Sequence, residues 1–265
     1  MWNMTITQAS AGRRATRMPP SPDTGVGVLD RSIAVLDAVE AGATSFTTIV
    51  DATGLPRTTA HRLIKALEAH GFVLFDGGYR LGPRLLRLAA TATERLPLRD
   101  LAHPVLERLA AATGESAQLY VREGTQRVCV DAVESRSELR TIVAVGASLP
   151  LTAGSAGKVF LAWGPRSVRD QATRRLPTFT EATPDAKQLA RDLATTLRRG
   201  WSWSGGERQA GVGSVSAPVF DGRGSLVAAV SVSGPASRLG RTDAARYAPA
   251  VLAAATEIGS TLGGS

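Results

Sequence analysis

Between Thr47 and Leu81 the apolar pattern is broken twice within a short span, and few folds accommodate that. Thr47 opens a short stretch whose apolar contacts are Ile49, Val50 and Ala52, and Thr53-Gly54-Leu55-Pro56 then interrupts the chain. Pro56 suits the first turn of a new helix, because the N–H it lacks would have had no partner there. That helix is read to about His70, with Ala60, Leu63, Ile64 and Leu67 on one face and Arg57, Thr58, His61, Arg62 and Lys65 largely on the other. After Gly71, Phe72-Val73-Leu74-Phe75 and Tyr79-Arg80-Leu81 flank Asp76-Gly77-Gly78, the pattern of a short β-hairpin. A preceding helix runs from Val28 toward Gly42 on Leu29, Ile33, Val35, Leu36 and Val39. Three short helices and a hairpin describe a winged helix-turn-helix over residues 26–82.

Such a unit places the N-terminal half of its third helix in the major groove of double-stranded DNA. Arg57, Thr58, Thr59, His61, Arg62 and Lys65 on that helix, with Tyr79 and Arg80 on the wing, are therefore the candidate DNA contacts. An arginine there presents a fork that matches O6 and N7 of guanine. Any amphipathic helix has a solvated polar face, and it is the preceding helix, the tight break and the hairpin together that favour DNA. Net charge adds little to this. The chain carries 31 Lys and Arg against 23 Asp and Glu, a formal +8, but residues 1–100 hold 12 basic and 9 acidic side chains and the remainder 19 and 14. The excess is thus +3 in the first part and +5 in the second, with no concentration on the half of the chain that holds the reading helix; 28 of the basic residues are arginine in an Ala-rich chain, as a GC-rich genome would produce.

A length of 265 residues allows one or two units with cores of their own. Residues 1–25, rich in Pro, Ser, Thr and Arg, are expected to form a disordered tail. Pro83 to about Glu94 reads as a helix on Leu85, Leu86, Leu88 and Ala89, with a boundary near Leu96-Pro97. A helical pattern follows from Leu98 to Thr113, then period-two stretches at Gln118–Val121, Val128–Val133 and Leu139–Val143. Helical segments at about Ser155–Trp163, Ser167–Arg175 and Asp185–Arg199 precede strands Val212–Phe220 and Leu226–Ser233 and a helix from about Thr242 to Leu262. The expectation is an α+β unit, an antiparallel sheet covered by helices. The single Cys129 forms no intramolecular disulfide, no zinc-type Cys/His spacing is present and no apolar run matches a membrane span. A cytoplasmic protein without metal or cofactor is expected, with Cys129 an inert apolar residue of its strand.

Three segments of this second half look unlike plain core. Leu149-Pro150-Leu151-Thr152-Ala153-Gly154-Ser155-Ala156-Gly157-Lys158 is a small-residue turn entering a helix, where unpaired N–H groups and the helix dipole favour a small carboxylate. It is not a phosphate-binding P-loop: Val159 follows Gly157-Lys158, and Thr152 stands where the first glycine is required. Along Leu226–Ser233, alternation gathers Val227, Ala229, Ser231 and Ser233 on one face, small and hydroxylated as a polar pocket wall would be. In Gly205-Gly206-Glu207-Arg208-Gln209-Ala210-Gly211-Val212-Gly213-Ser214-Val215-Ser216, Ser214 and Ser216 also share a face. The alternative for these serines is a solvent-facing sheet. No arginine clamp is evident, and Trp201 and Trp203 fall on one face of a short strand, to narrow a pocket or to pack in the core.

The run Leu55-Pro56-Arg57-Thr58-Thr59-Ala60-His61-Arg62-Leu63-Ile64-Lys65-Ala66-Leu67-Glu68, followed by Gly71-Phe72-Val73 and Tyr79-Arg80-Leu81-Gly82-Pro83-Arg84-Leu85, resembles the DNA-binding half of the IclR family of bacterial transcription regulators. With the second-half segments, the resemblance covers residues 26–262. It implies that residues 83–96 are a linker helix joining the halves and helping to pair subunits, and that residues 97–265 are a GAF-like effector domain. It places an effector cavity between the three segments, with Gly154, Ser155, Ala156, Ser214, Ala229, Ser231 and Ser233 as binding candidates and Glu207 at the mouth. It implies a homodimer or tetramer on a pseudo-palindromic operator, modulated by a small carboxylate or amino-acid-related molecule. The stretches Gly114-Glu115-Ser116-Ala117-Gln118-Leu119-Tyr120 and Gly154-Ser155-Ala156 are similar to actinobacterial members tied to leucine and related amino-acid biosynthesis. The competing expectations are a hydrolase-like enzyme fused to a DNA-binding unit, against which stands the lack of GxSxG, HExxH and HxE…CxxC patterns, and a structural DNA-binding protein without an effector.

Overall fold

The computed structural model describes residues 24, 26–94 and 97–262. The expected tail, apart from Thr24, and the end of the linker helix at Arg95-Leu96 lie outside the described residues. The chain divides into two compact units between Glu94 and Arg95.

The first unit contains helices α1 (Gly27–Glu40), α2 (Phe46–Thr53) and α3 (Arg57–Ala69), strands β1 (Val73–Phe75) and β2 (Tyr79–Leu81), and helix α4 (Pro83–Glu94). Helix α2 starts at a reciprocal cap. The Ser45 hydroxyl accepts the Thr48 N–H at 3.1 Å, and the Thr48 hydroxyl accepts the Ser45 N–H at 3.0 Å. Gly54, at φ 67°, ends the helix in a left-handed conformation that suits glycine. Pro56 then precedes α3 as its cap rather than lying in its first turn. Val35, Val39, Ile49, Ile64, Leu67 and Val73 form the core that fixes the three helices and the hairpin. β1 and β2 pair antiparallel, Leu74 opposite Arg80, and the Tyr79 N–H reaches the Thr44 carbonyl at 2.8 Å, tying the wing to the loop before α2. Ser45→Ala removes a side-chain acceptor from the start of α2, and a loss of about 1 kcal/mol is expected. Scanning calorimetry of the full chain would read it as a lower transition for the first unit only.

The second unit contains α5 (Pro97–Thr113), β3 (Ser116–Glu123), β4 (Gln126–Val133), β5 (Ser148–Pro150), α6 (Ser155–Trp163), α7 (Arg166–Thr173), α8 (Ala186–Arg199), β6 (Ser202–Gly205), β7 (Val212–Phe220), β8 (Leu226–Pro235) and α9 (Ala244–Leu262). The strands form one curled antiparallel sheet in the order β5-β4-β3-β8-β7-β6. One apolar layer joins α5 and α9 to the sheet through Leu106, Leu119, Val215, Val230, Val251 and Ile258. A second gathers Tyr120, Cys129, Leu151, Val159, Phe160, Leu189 and Ala229 around α6 and α8. This is the expected α+β architecture, with one correction. Leu139–Val143 is not a strand; the edge of β4 is taken by Ser148–Pro150 instead. Only part of the period-two pattern there has a structural counterpart: Thr141 and Val143 line a cavity and Ile142 between them faces outward, whereas Leu139, of the same parity as Thr141, is exposed. No described helix is long and apolar enough to cross a membrane.

Candidate DNA-reading helix and ligand cavity

On α3 the apolar residues Ala60, Ile64 and Leu67 are buried, which turns Arg57, Thr58, His61, Arg62 and Lys65 outward, with Thr59 half-buried. Local contacts divide these side chains. Arg57 lies over the Phe46 ring at 5.0 Å and His61 meets the same ring edge-on, so α2 props both. Lys65 pairs with Glu68 at 2.9 Å, and Arg80 on the wing pairs with Asp76. Tyr79 packs edge-to-face on Phe75 and against the core of the unit, a more structural place than the expected DNA contact. Thr58 and Arg62 share one face at i, i+4 spacing, and their side chains make no hydrogen bond, ion pair or ring contact among the described residues.

In the second unit an open cavity lies between α6, the sheet and the loops after β4 and β6. Its lining brings together Gly154, Ser155, Ala156, Glu207, Ser214, Ser231 and Ser233. Ala229 is the exception: it is fully buried in the core around α6 and does not reach the cavity. The serines are not a solvated face, because α6 covers them. Ser155 Oγ lies 2.7 Å from the hydroxyls of both Ser214 and Ser216, Ser216 is 2.8 Å from Ser231, and Ser233 donates to Gln118 Oε1 at 3.1 Å.

The cavity contains an arginine after all. Arg127, on β4, is 4% exposed and lines it, as does the half-buried Arg208. Arg127 Nη1 donates to the carbonyls of Pro150 and Ala153, the latter at 2.9 Å, and the guanidinium lies 5.5 Å from the centre of the Tyr120 ring. No carboxylate pairs with it, and its Nε, buried, has no hydrogen-bond partner among the described residues. Burial, above all, pulls its pKa down to about 10, with Tyr120 acting in the opposite sense, so the group is cationic at neutral pH. The backbone makes room for it. A Cβ on Gly154, already at φ 94°, would lie 2.6 Å from Nη2, and one on Gly157 would lie 2.7 Å from Nη1. The signal in the sequence was alternation: Arg127 shares a face of β4 with Cys129, which is inward.

Glu207 does not sit free at the mouth. It is buried, accepts the Gly154 N–H at 2.9 Å, and its other oxygen is 2.5 Å from Lys158 Nζ. The first donor of the helix entrance is thus occupied by the protein's own carboxylate, whereas the N–H groups of Ser155, Ala156 and Gly157 have no acceptor among the described residues. Lys158, 1% exposed, also pairs with Asp192 at 2.9 Å. Trp203 does not narrow this cavity; its indole N–H donates to the Leu239 carbonyl at 2.9 Å on the opposite side of β6 from Ser204. The Cys129 thiol is pushed up to about 12 by burial and then by Asp131, which suits an unreactive core residue.

A winged-helix unit followed by an α+β unit with an arginine-lined polar cavity defines a two-unit DNA-binding regulator with a C-terminal effector domain. Residues 28–77 match the family described as the IclR helix-turn-helix domain, and residues 90–260 that described as the bacterial transcriptional regulator IclR C-terminal domain. The chain belongs to the IclR family of bacterial transcriptional regulators. It is 33% identical to the uncharacterized HTH-type transcriptional regulator RhmR of Escherichia coli K12, over 90% of this chain and 94% of that one. It is 30% identical to the HTH-type transcriptional repressor AllR of the same organism, over 88% and 89%. A crystal structure of an IclR homolog from Microbacterium hydrocarbonoxydans, complexed with 4-hydroxybenzoate, superposes with a TM-score of 0.74 at 29% identity, covering 89% of this chain and 98% of that one.

Proposed function

We propose that this regulator recognises its operator through Arg57, Thr58, Thr59, His61, Arg62 and Lys65, and that a small organic carboxylate in the second unit modulates that binding. The observation that carries the effector class is Arg127. A guanidinium taken out of water is costly unless an anion pairs with it, and this one faces a cavity beside the unpaired N–H groups at the start of α6, where anions are favoured. An anionic occupant is compatible with the homolog bound to 4-hydroxybenzoate. Ser231, Ser233 and Ser214 supply the hydroxyls that orient the rest of the ligand.

The mechanism is a population shift. The carboxylate binds two arrangements of the effector unit unequally, and α4 with residues 95–96 transmits that bias to the reading helices of paired subunits. A homodimer or tetramer on a pseudo-palindromic operator follows from the two-fold pairing of such readers, and a cytoplasmic location suits a DNA-bound protein. Gly114–Tyr120 and Gly154–Ala156 support a place near the actinobacterial members tied to leucine and related amino-acid biosynthesis. A hydrolase reading finds little support, since Ser155 hydrogen-bonds only other serines and has no base beside it.

A gel-shift and footprinting assay on the DNA upstream of the gene, with and without small carboxylates, tests this reading. Sequence-specific binding shifted by a carboxylate is expected; binding at low salt alone, without sequence preference, would overturn it. Arg62→Ala is expected to lose tenfold to about a hundredfold in operator discrimination, as removal of a base-reading arginine does, with the oligomer intact by sedimentation. An unchanged footprint removes Arg62 from the reader.

A further inference from the structure

A second cavity opens beside α8 and β6 in the same unit, and its charge is out of balance. Lys158, Arg199 and Arg241 line it with Asp192 as the one carboxylate. Asp192 is already committed to Lys158 at 2.9 Å. Lys158 is nearly inaccessible to solvent and spends two of its three N–H donors on Asp192 and Glu207, leaving the third unpaired among the described residues. Thr196, 1% exposed, also lines the cavity, and its hydroxyl has no hydrogen-bond partner among the described residues.

Above these buried donors stand two guanidinium groups held by aromatic rings. Arg199 lies 3.7 Å over the Trp201 ring and donates through Nε to the Trp201 carbonyl at 3.0 Å, which leaves its two terminal nitrogens for a ligand. Arg241 lies 5.2 Å over Trp203 and makes no ion pair among the described residues. The Arg199 pKa is lowered, first by burial and also by the nearby Arg241 charge, while Asp192 acts in the opposite direction. Two like charges thus converge on one space, with aromatic contacts holding them there.

We propose that this second cavity binds a phosphate-class oxyanion, either inorganic phosphate or the phosphoryl group of a small metabolite. Arg199 and Arg241 grip it at the rim, and Lys158 and Thr196 donate from the floor. Paired guanidinium forks suit an oxyanion with several acceptor oxygens. The site is separate from the carboxylate cavity and independent of that reading. Lys158, bonded to Glu207 of the first cavity, is the group the two have in common.

The test is a titration of the full-length protein with inorganic phosphate and with glycerol 3-phosphate at fixed ionic strength, followed by tryptophan fluorescence and calorimetry. Saturable binding is expected, at least tenfold weaker in Arg199→Ala and in Arg241→Ala, and unchanged in Arg208→Ala and Arg62→Ala, which lie in the first cavity and on the reading helix. Tighter binding of the ester marks a phosphorylated metabolite as the occupant; equal affinity marks free phosphate. No saturation with either probe, equal affinity in the wild type and both arginine variants, or loss in Arg208→Ala instead would overturn the proposal. None of these outcomes bears on Arg127, so the carboxylate reading stands or falls separately.

Discussion

Replacing Arg127 with methionine is expected to abolish the response to carboxylate while the operator is still bound. Methionine keeps an apolar stem and loses both the guanidinium over the Tyr120 ring and the charge that faces the cavity. Removing one partner of a buried, hydrogen-bonded charge pair costs about 2–5 kcal/mol, and at 1.4 kcal/mol per factor of ten the carboxylate binds at least about thirtyfold more weakly. Arg127 also supports the carbonyls of Pro150 and Ala153, so a loss of binding alone would not separate recognition from structure. The ligand supplies the control. Acetate, lactate and benzoate are each titrated against their primary amides, by calorimetry and in the gel shift. The wild type discriminates acid from amide, and Arg127→Met binds both alike and weakly. Arg127→Lys restores the charge without the planar fork and recovers part of the discrimination. If acid and amide are bound equally well by the wild type, Arg127 is not a carboxylate anchor.

What was legible in the sequence was local. Gly54, Pro56 and Asp76-Gly77-Gly78 act on their own neighbours through helix ends and turn conformations, so the winged unit could be laid out to within a residue or two, although the Ser45 cap that starts α2 was not read. The hydroxylated wall of the cavity followed from alternation along β7 and β8, which needs nothing beyond the strand itself. What escaped was non-local. Arg127 sits beside the β3–β4 turn, where an arginine ordinarily faces water; it is buried because Ala153, Gly154 and Gly157, far along the chain, form a backbone cradle with no Cβ in the way. Glu207 reads as a surface residue until Gly154 and Lys158 arrive from another segment. Ala229 shares a strand face with Ser231 and Ser233 but lies one step further from the cavity, under the apolar part of α6. The false strand at Leu139–Val143 shows the converse: over Thr141–Val143 the alternation comes from facing a cavity rather than from pairing, and it does not extend to the exposed Leu139.

The largest effect on folding is expected at Lys158. Its ammonium is the only cation within salt-bridge distance of Glu207 among the described residues, and both groups are buried, whereas Asp192 is about a third exposed and can be rehydrated. Lys158→Met therefore strands the Glu207 charge in the interior, and breaking a buried pair in this way costs about 3–5 kcal/mol. For a unit of this size that corresponds to a fall in melting temperature on the order of 10 °C. The physical cause is separable from loss of packing by a second substitution. Glu207→Gln removes the stranded charge and keeps an amide oxygen for the Gly154 N–H. The double variant Lys158→Met with Glu207→Gln is expected to regain most of the lost stability, giving a coupling of opposite sign to the single losses. Thermal unfolding of the four proteins measures it. Additive losses would mean that Lys158 stabilises the unit through its aliphatic stem alone, and that the contact with Glu207 contributes nothing to the fold.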